Sequence, residues 1–265
     1  MKKTVLKSYV LSLVICMGTL EAFANKPRSM NEIMASGELV IGIDGESPPY
    51  NFYEGTEPKG FEVDLGRAIA DKLKLKPVFK QGAFKAMILG LQNGTYDAIL
   101  VHHTISDERK KAVHFVSPFF CSGSAWYTND PKLTDLKSIG NASVAFPVGM
   151  VYGDLIKKEA PQVEFKTLNS EIEAFQYVNA GKAQIWVTDE IIGDGILKKN
   201  PESKIKKRYR FVTDVMGILV AHNEDKSLPE WSAHFEKTYQ GLVKDKTYAK
   251  LAKQYFGRDT SCLGK

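Results

Sequence analysis

The chain has 265 residues, a quarter of them charged, and a formal net charge of +5. That length suits one or two packed domains, and the mild positive balance gives no argument for a nucleic-acid partner; none is expected. After the first apolar run, no stretch reaches the length of a membrane span.

The first element is a leader. Lys2, Lys3 and Lys7 precede an apolar run over residues 9–20, and Ala22-Phe23-Ala24 places small residues two apart. This is the pattern of a secretory signal peptide over residues 1–24, cleaved after Ala24. Ile15 before Cys16 stands where a lipid-anchor cleavage signal needs a small residue, which argues against a lipoprotein. Losing the leader removes three lysines and Glu21 and leaves the chain mildly basic.

The mature chain opens with a strand, Glu38-Leu39-Val40-Ile41-Gly42-Ile43, and a turn-rich loop through Pro48-Pro49. Gly60 opens a helix with Phe61, Leu65, Ala68, Ile69 and Leu73 on one face. A short strand at Pro77-Val78-Phe79 precedes a second helix, marked by Phe84, Met87, Ile88 and Leu91, which ends at Asn93-Gly94. Residues 96–101 form a third strand. Residues 122–128 are a further extended run, broken by Asn129-Asp130-Pro131. The pattern then restarts: strand 142–146, helix 151–158, strand 163–166, a helix through Ile172, Phe175 and Val178, strand 184–187 and helix 191–197. The basic cluster Lys204, Lys206, Lys207, Arg208 and Arg210 reads as a solvated face before an apolar strand over 213–221. Two helices close the chain, one carrying Leu228, Trp231, Phe235, Tyr239 and Leu242, the other Tyr248, Leu251, Ala252 and Tyr255. Strands alternating with helices in two successive halves predict two α/β lobes, each built on a mostly parallel sheet flanked by helices.

One stretch points to chemistry. The apolar run 98–101 ends abruptly, Ser106-Asp107-Glu108 reads as a capped helix start, and Arg109 follows one turn in. A guanidinium beside the N–H groups of a helix start is a site for an anion, most simply a carboxylate. A surface arginine in an i,i+4 charge pattern is the alternative from these residues alone. Cys121 and Cys262 are the cysteines beyond the leader, and an exported chain with two favours one disulfide, with free thiols as the alternative. Their separation is a poor zinc signature; no metal and no cofactor are expected.

Several segments together resemble the bacterial periplasmic amino-acid-binding proteins, the solute receptors of polar amino-acid ABC transporters. They are Gly37-Glu38-Leu39-Val40-Ile41-Gly42, Pro48-Pro49-Tyr50-Asn51-Phe52, Gly60-Phe61-Glu62-Val63-Asp64-Leu65, Leu91-Gln92-Asn93-Gly94-Thr95-Tyr96-Asp97-Ala98-Ile99 and Thr104-Ile105-Ser106-Asp107-Glu108-Arg109. The resemblance implies the two-lobed type II periplasmic-binding-protein fold, its lobes joined by two crossing strands near residues 121–128 and 213–221. Lobe one would take residues 30–125 and 217–265, and lobe two residues 126–212. It further implies a periplasmic location, an amino-acid ligand in the interlobe cleft, a membrane permease as partner and a monomeric receptor that is not an enzyme.

Carried over position by position, the resemblance implies that Arg109 pairs with the ligand α-carboxylate, helped by the Thr104 hydroxyl, and that Asp189 takes the ammonium. Phe84 would cover the ligand side chain, and Asp44 would face it. The departures are specific. Ser47 stands where many members have a second aromatic, and His102 where a small residue is usual. Gly149-Met150-Val151 replaces a glycine followed by hydroxyl residues: with Met150 and Val151 in the pocket the hydroxyl donors are gone and Met150 adds apolar bulk, while the helix-start N–H groups could still bind an anion. Adjacent residues on a strand end point to opposite sides, which predicts that at most one of His102 and His103 faces a ligand. Asp44 and Glu46 at the pocket mouth favour a basic amino acid, with Phe84 stacking on it. Two rival functions are a periplasmic dehydratase acting on prephenate- or arogenate-like acids, with His102, His103, Glu46 or Glu190 as acid or base, and a receptor that docks on a sensor protein.

Overall fold

A computed structural model describes residues 26–222 and 230–262. The leader and Leu228 lie outside the described residues.

Helix α1 (Met30–Ser36) starts on a capping box: the Ser29 hydroxyl accepts from the Glu32 N–H, and the Glu32 carboxylate accepts from the Ser29 N–H. Strand β1 (Glu38–Ile43) follows, then three short strands β2 (Glu46–Ser47), β3 (Asn51–Glu54) and β4 (Glu57–Lys59), which pair into a small antiparallel sheet of their own. The sequence showed only turn residues in that region, because three strands of two to four residues leave no periodicity to read. Helix α2 (Phe61–Leu73) begins at Gly60, whose φ of 114° and tight approach to the Tyr50 carbonyl exclude a side chain. Its buried face carries Phe61, Val63, Leu65, Ile69 and Leu73.

Strand β5 (Lys76–Gln81) leads through a single tight turn at Phe84–Ala86 into α3 (Met87–Gln92). The third strand is far shorter than expected: β6 covers only Ala98–Ile99. Helix α4 (Asp107–Ala112) is capped by the Ser106 hydroxyl on the Arg109 N–H, as the Ser-Asp-Glu pattern predicts. Then comes β7 (Val113–Thr128), followed by β8 (Ser143–Pro147), α5 (Tyr152–Glu159), β9 (Glu164–Leu168), α6 (Glu171–Asn179), β10 (Ile185–Asp189), α7 (Glu190–Lys199), β11 (Lys206–Ala221), α8 (Glu230–Lys244) and α9 (Thr247–Phe256).

These strands form one eight-stranded sheet in the order β5-β1-β6-β11-β7-β10-β8-β9. The outer three at each end are parallel, while the joins β6-β11, β11-β7 and β7-β10 are antiparallel. The crossing strands are longer than the sequence suggested. Both β7 and β11 run 16 residues and pair along almost their whole length. β11 holds one lobe through Leu219 opposite Ile99; β7 holds the other through Ser124 to Tyr127 opposite Asp189 to Trp186. The expected lobe boundaries fall within these two strands. The basic cluster lies largely on β11, where Lys207 and Arg210 pair with Glu190 of α7. Aromatic residues form much of the core: Tyr50, Phe61, Phe119, Phe120, Phe235 and Tyr239 pack in one cluster, and Trp126, Phe146 and Tyr152 in another. Cys121 and Cys262 are joined by a disulfide, their Cα atoms 5.2 Å apart. Among the described residues no helix is long and apolar enough to cross a membrane.

Candidate ligand-binding site

Between the lobes lies a cavity of about 380 Å³. Asp44, Glu46, Ser47, Gln81 and Phe84 line it from one side, and Pro147, Met150, Asn169, Ser170 and Glu171 from the other. Each side comes from strand ends and the loops after them, where an α/β sheet places ligands. Asp44 follows β1 and accepts the Ser47 hydroxyl at 2.7 Å. Phe84 sits on the turn after β5. Ser170 caps α6, and Glu171 is its first residue.

Arg109 stands beside this cavity. Its guanidinium lies 5.8 Å over the Phe84 ring and donates to the Thr104 carbonyl at 2.7 Å and, across the cleft, to the Gly149 carbonyl at 2.8 Å. A second cross-cleft bond joins the Tyr50 hydroxyl to Asp189 at 3.0 Å. Asp189 is fully buried and caps α7 by accepting the Ile191 N–H at 2.9 Å on the same oxygen; its other oxygen finds no hydrogen-bond partner among the described residues. Thr104 pairs through its backbone with Met216.

The structure therefore gathers Asp44, Ser47, Phe84 and Met150 on the cavity wall, with Arg109 and Thr104 at one flank and His102 and Asp189 behind it. Val151 is the exception. It packs against the apolar core around Trp126 and Val144, and is not among the described residues lining the cavity.

Neither histidine is among the described residues lining the cavity. Both are buried, and both meet Phe84: His103 stacks on it at 4.0 Å between centroids, and His102 lies 5.6 Å away. Regular strand ends at Ile99, before either histidine.

Sequence reasoning missed three buried residues. Glu62 is wholly buried, accepts from the Asn51 side-chain amide at 2.5 Å and sits 3.7 Å from His102 Nδ1, an ion-pair distance too long for a direct hydrogen bond. Tyr50 stacks on His102 at 4.9 Å. Glu171 accepts from Trp186 Nε1 at 3.3 Å. Glu62 and Tyr50 lie inside the quoted motifs, where Glu62 reads as a helix-start acid and Tyr50 as core. Only their meeting across the fold marks them.

Burial dominates the electrostatics. It raises Glu62 and Asp189 above the ordinary carboxylate range, against the pull of nearby donors and of His102. Burial pushes Glu171 up to about 8, opposed by its hydrogen bonds and by His102. Burial and repulsion from Asp44 raise Glu46. Burial alone would lower His102, but Glu62, with Asp44 and Asp189 further off, raises it to about 9. Burial, Arg109 and His102 drive His103 well down. The cleft is thus a chamber rich in carboxylates with an arginine at one flank: a place for a solute carrying a carboxylate at one end and positive charge elsewhere.

Known proteins carry the same plan. The L-cystine-binding protein TcyJ of Escherichia coli (strain K12) is 23% identical over 261 residues, 95% of this chain and 95% of its own. The L-arginine-binding protein of Pseudomonas aeruginosa is 27% identical, covering 92% of this chain and 97% of its own. Among solved structures, an ancestral arginine-binding protein bound to arginine superposes with a TM-score of 0.78 at 30% identity, over 83% of this chain and 99% of that one. The ancestral amino acid-binding protein AncCDT-1, a precursor of cyclohexadienyl dehydratase, superposes with a TM-score of 0.77 at 27% identity, over 85% and 98%. Residues 39–258 match the profile of the bacterial extracellular solute-binding proteins, family 3, and with most of the chain inside that match, the protein belongs to this family.

Proposed function

We propose that the protein is a periplasmic receptor that binds an α-amino acid with a cationic side chain between its lobes and passes it to the permease of an ABC transporter. The observation that carries the ligand class is the cavity wall: Asp44, Glu46 and Glu171 line it, and no lysine or arginine is among the described lining residues. Glu46 and Asp44 repel one another there, and a ligand cation relieves that repulsion. Arg109 takes the α-carboxylate, supported by Thr104. The unpartnered oxygen of Asp189 takes the ammonium, and Phe84 lies against the side chain. Cross-cleft bonds from Arg109 and Tyr50 favour the closed arrangement in which all of these meet. The cleaved leader over residues 1–24 sends the chain to the periplasm, where it works as a monomer that carries its ligand unchanged.

A thermal-shift screen of the amino acids tests this. Arginine, lysine and ornithine are expected to raise the melting temperature by several degrees, since a ligand at a hundredfold excess over its Kd adds about 2.7 kcal/mol. Shifts from uncharged or acidic amino acids with none from the basic ones overturn the ligand class. Product formed from prephenate or arogenate by the purified protein overturns the receptor role.

A further inference from the structure

His102 is the cationic side chain set deepest among the carboxylates of the cleft. It is 3% exposed, and neither ring nitrogen has a hydrogen-bond partner among the described residues. Nδ1 faces Glu62 at 3.7 Å. One ring face stacks on Tyr50, whose hydroxyl holds Asp189, and the Phe84 ring beside it forms part of the cavity wall. From the cavity inward the order is therefore Phe84, His102, Glu62.

We propose that His102 is a specificity-determining residue: its imidazolium already neutralises the carboxylates that a cationic ligand needs, so such a ligand binds by driving the proton from His102. This inference rests on the ligand class proposed above.

The charged and titratable groups around the ring are Glu62 from α2, Asp44 after β1, Tyr50 from the loop before β3, Glu171 from α6 and Asp189 from β10. His103 and Arg109 complete the set. In the free protein the acids hold the His102 proton until about pH 9, while His103 stays neutral. A basic amino acid brings an ammonium to Asp189 and a second cation to Asp44. Both of these acids then serve the ligand, and two positive charges stand near the ring in a low-dielectric setting. The support for the imidazolium is withdrawn, and it falls toward neutrality. A side chain of the same shape without charge leaves most of that support in place.

Arginine and its uncharged isostere citrulline are the probes. The imidazole resonances of His102 in the wild-type protein at about pH 7 are expected to report imidazolium when free and neutral imidazole with arginine bound. Titration calorimetry in buffers of different ionisation heat should show proton release. Arginine affinity should be roughly fiftyfold higher at about pH 8 than at about pH 6, and that of citrulline should change less than about threefold. His102→Asn should abolish the release and tighten arginine relative to citrulline at the lower pH. Glu171→Gln alters the cavity wall itself, but His102 in that variant should still pass from imidazolium to neutral imidazole with arginine bound, which separates the two titrating groups. The proposal is overturned if His102 keeps its proton with arginine bound, or if release persists in His102→Asn and vanishes in Glu171→Gln. Should His102→Asn fail to fold, the wild-type resonances decide. If no basic amino acid binds, the ligand class falls and takes this inference with it, a result distinct from tight arginine binding with His102 still charged.

Discussion

Replacing Arg109 with alanine is expected to weaken binding of arginine, or of any α-amino acid the cleft accepts, at least about a hundredfold, or roughly 3 kcal/mol. The guanidinium is planar, it is fixed by the Thr104 carbonyl and by the Phe84 ring beneath it, and it reaches Gly149 on the opposite lobe. A carboxylate matches this planar fork through two parallel N–H···O bonds. The same residue links the lobes, so its loss removes this cross-cleft bond together with the proposed ligand contact. Arg109→Lys keeps the charge and loses the fork, and should recover only part of the affinity. Calorimetric titration of both variants is the measurement. Undiminished binding in Arg109→Ala would refute the carboxylate role.

The second large effect concerns stability. The disulfide closes a loop between residues 141 apart in sequence. Loop-closure entropy for that length, reduced by whatever structure the unfolded chain retains, amounts to about 2–5 kcal/mol. The tail it holds has other anchors: the Cys121 N–H donates to the Thr260 carbonyl at 2.9 Å, and Tyr248 meets the Thr260 hydroxyl at 3.1 Å. These keep the folded tail in place without the covalent bond, so the loss acts mainly by freeing the unfolded chain. The double variant Cys121→Ala, Cys262→Ala should unfold at clearly lower urea concentration than the wild type. A reductant should lower the wild-type midpoint toward the same value and leave the variant's unmoved. Equal midpoints for both proteins would show that the bridge contributes nothing.

What could be read from the sequence depended on whether the signal was local. The helices were legible because each carries its own stripe and cap; Ser106 on Arg109 and the face of α2 are cases where a few neighbouring residues decide the outcome. The two long strands were half legible. Only the apolar ends of β7 and β11 look like strand, and the basic start of β11 reads as surface because the acids it pairs with lie elsewhere in the chain. The site showed the same division. Arg109, Phe84, Asp44 and Asp189 came from motif positions, and the fold brings them around one cleft. Glu62, Tyr50 and Glu171 stayed hidden, since a buried carboxylate is indistinguishable in sequence from a solvated one. Val151, the N-cap of α5, is not among the described residues lining the cavity, and nothing local in the sequence separates it from Met150, which is.

The paired crossing strands also govern how the molecule comes apart. Each lobe's sheet is completed by the same two 16-residue strands, so neither lobe can lose its order and leave the other with an intact edge. Trp126 and Trp186 sit at the β7-β10 join and Trp231 on α8, and all three are buried. A solute held between the lobes is therefore expected to protect both of them against unfolding, including parts of the described fold it never touches.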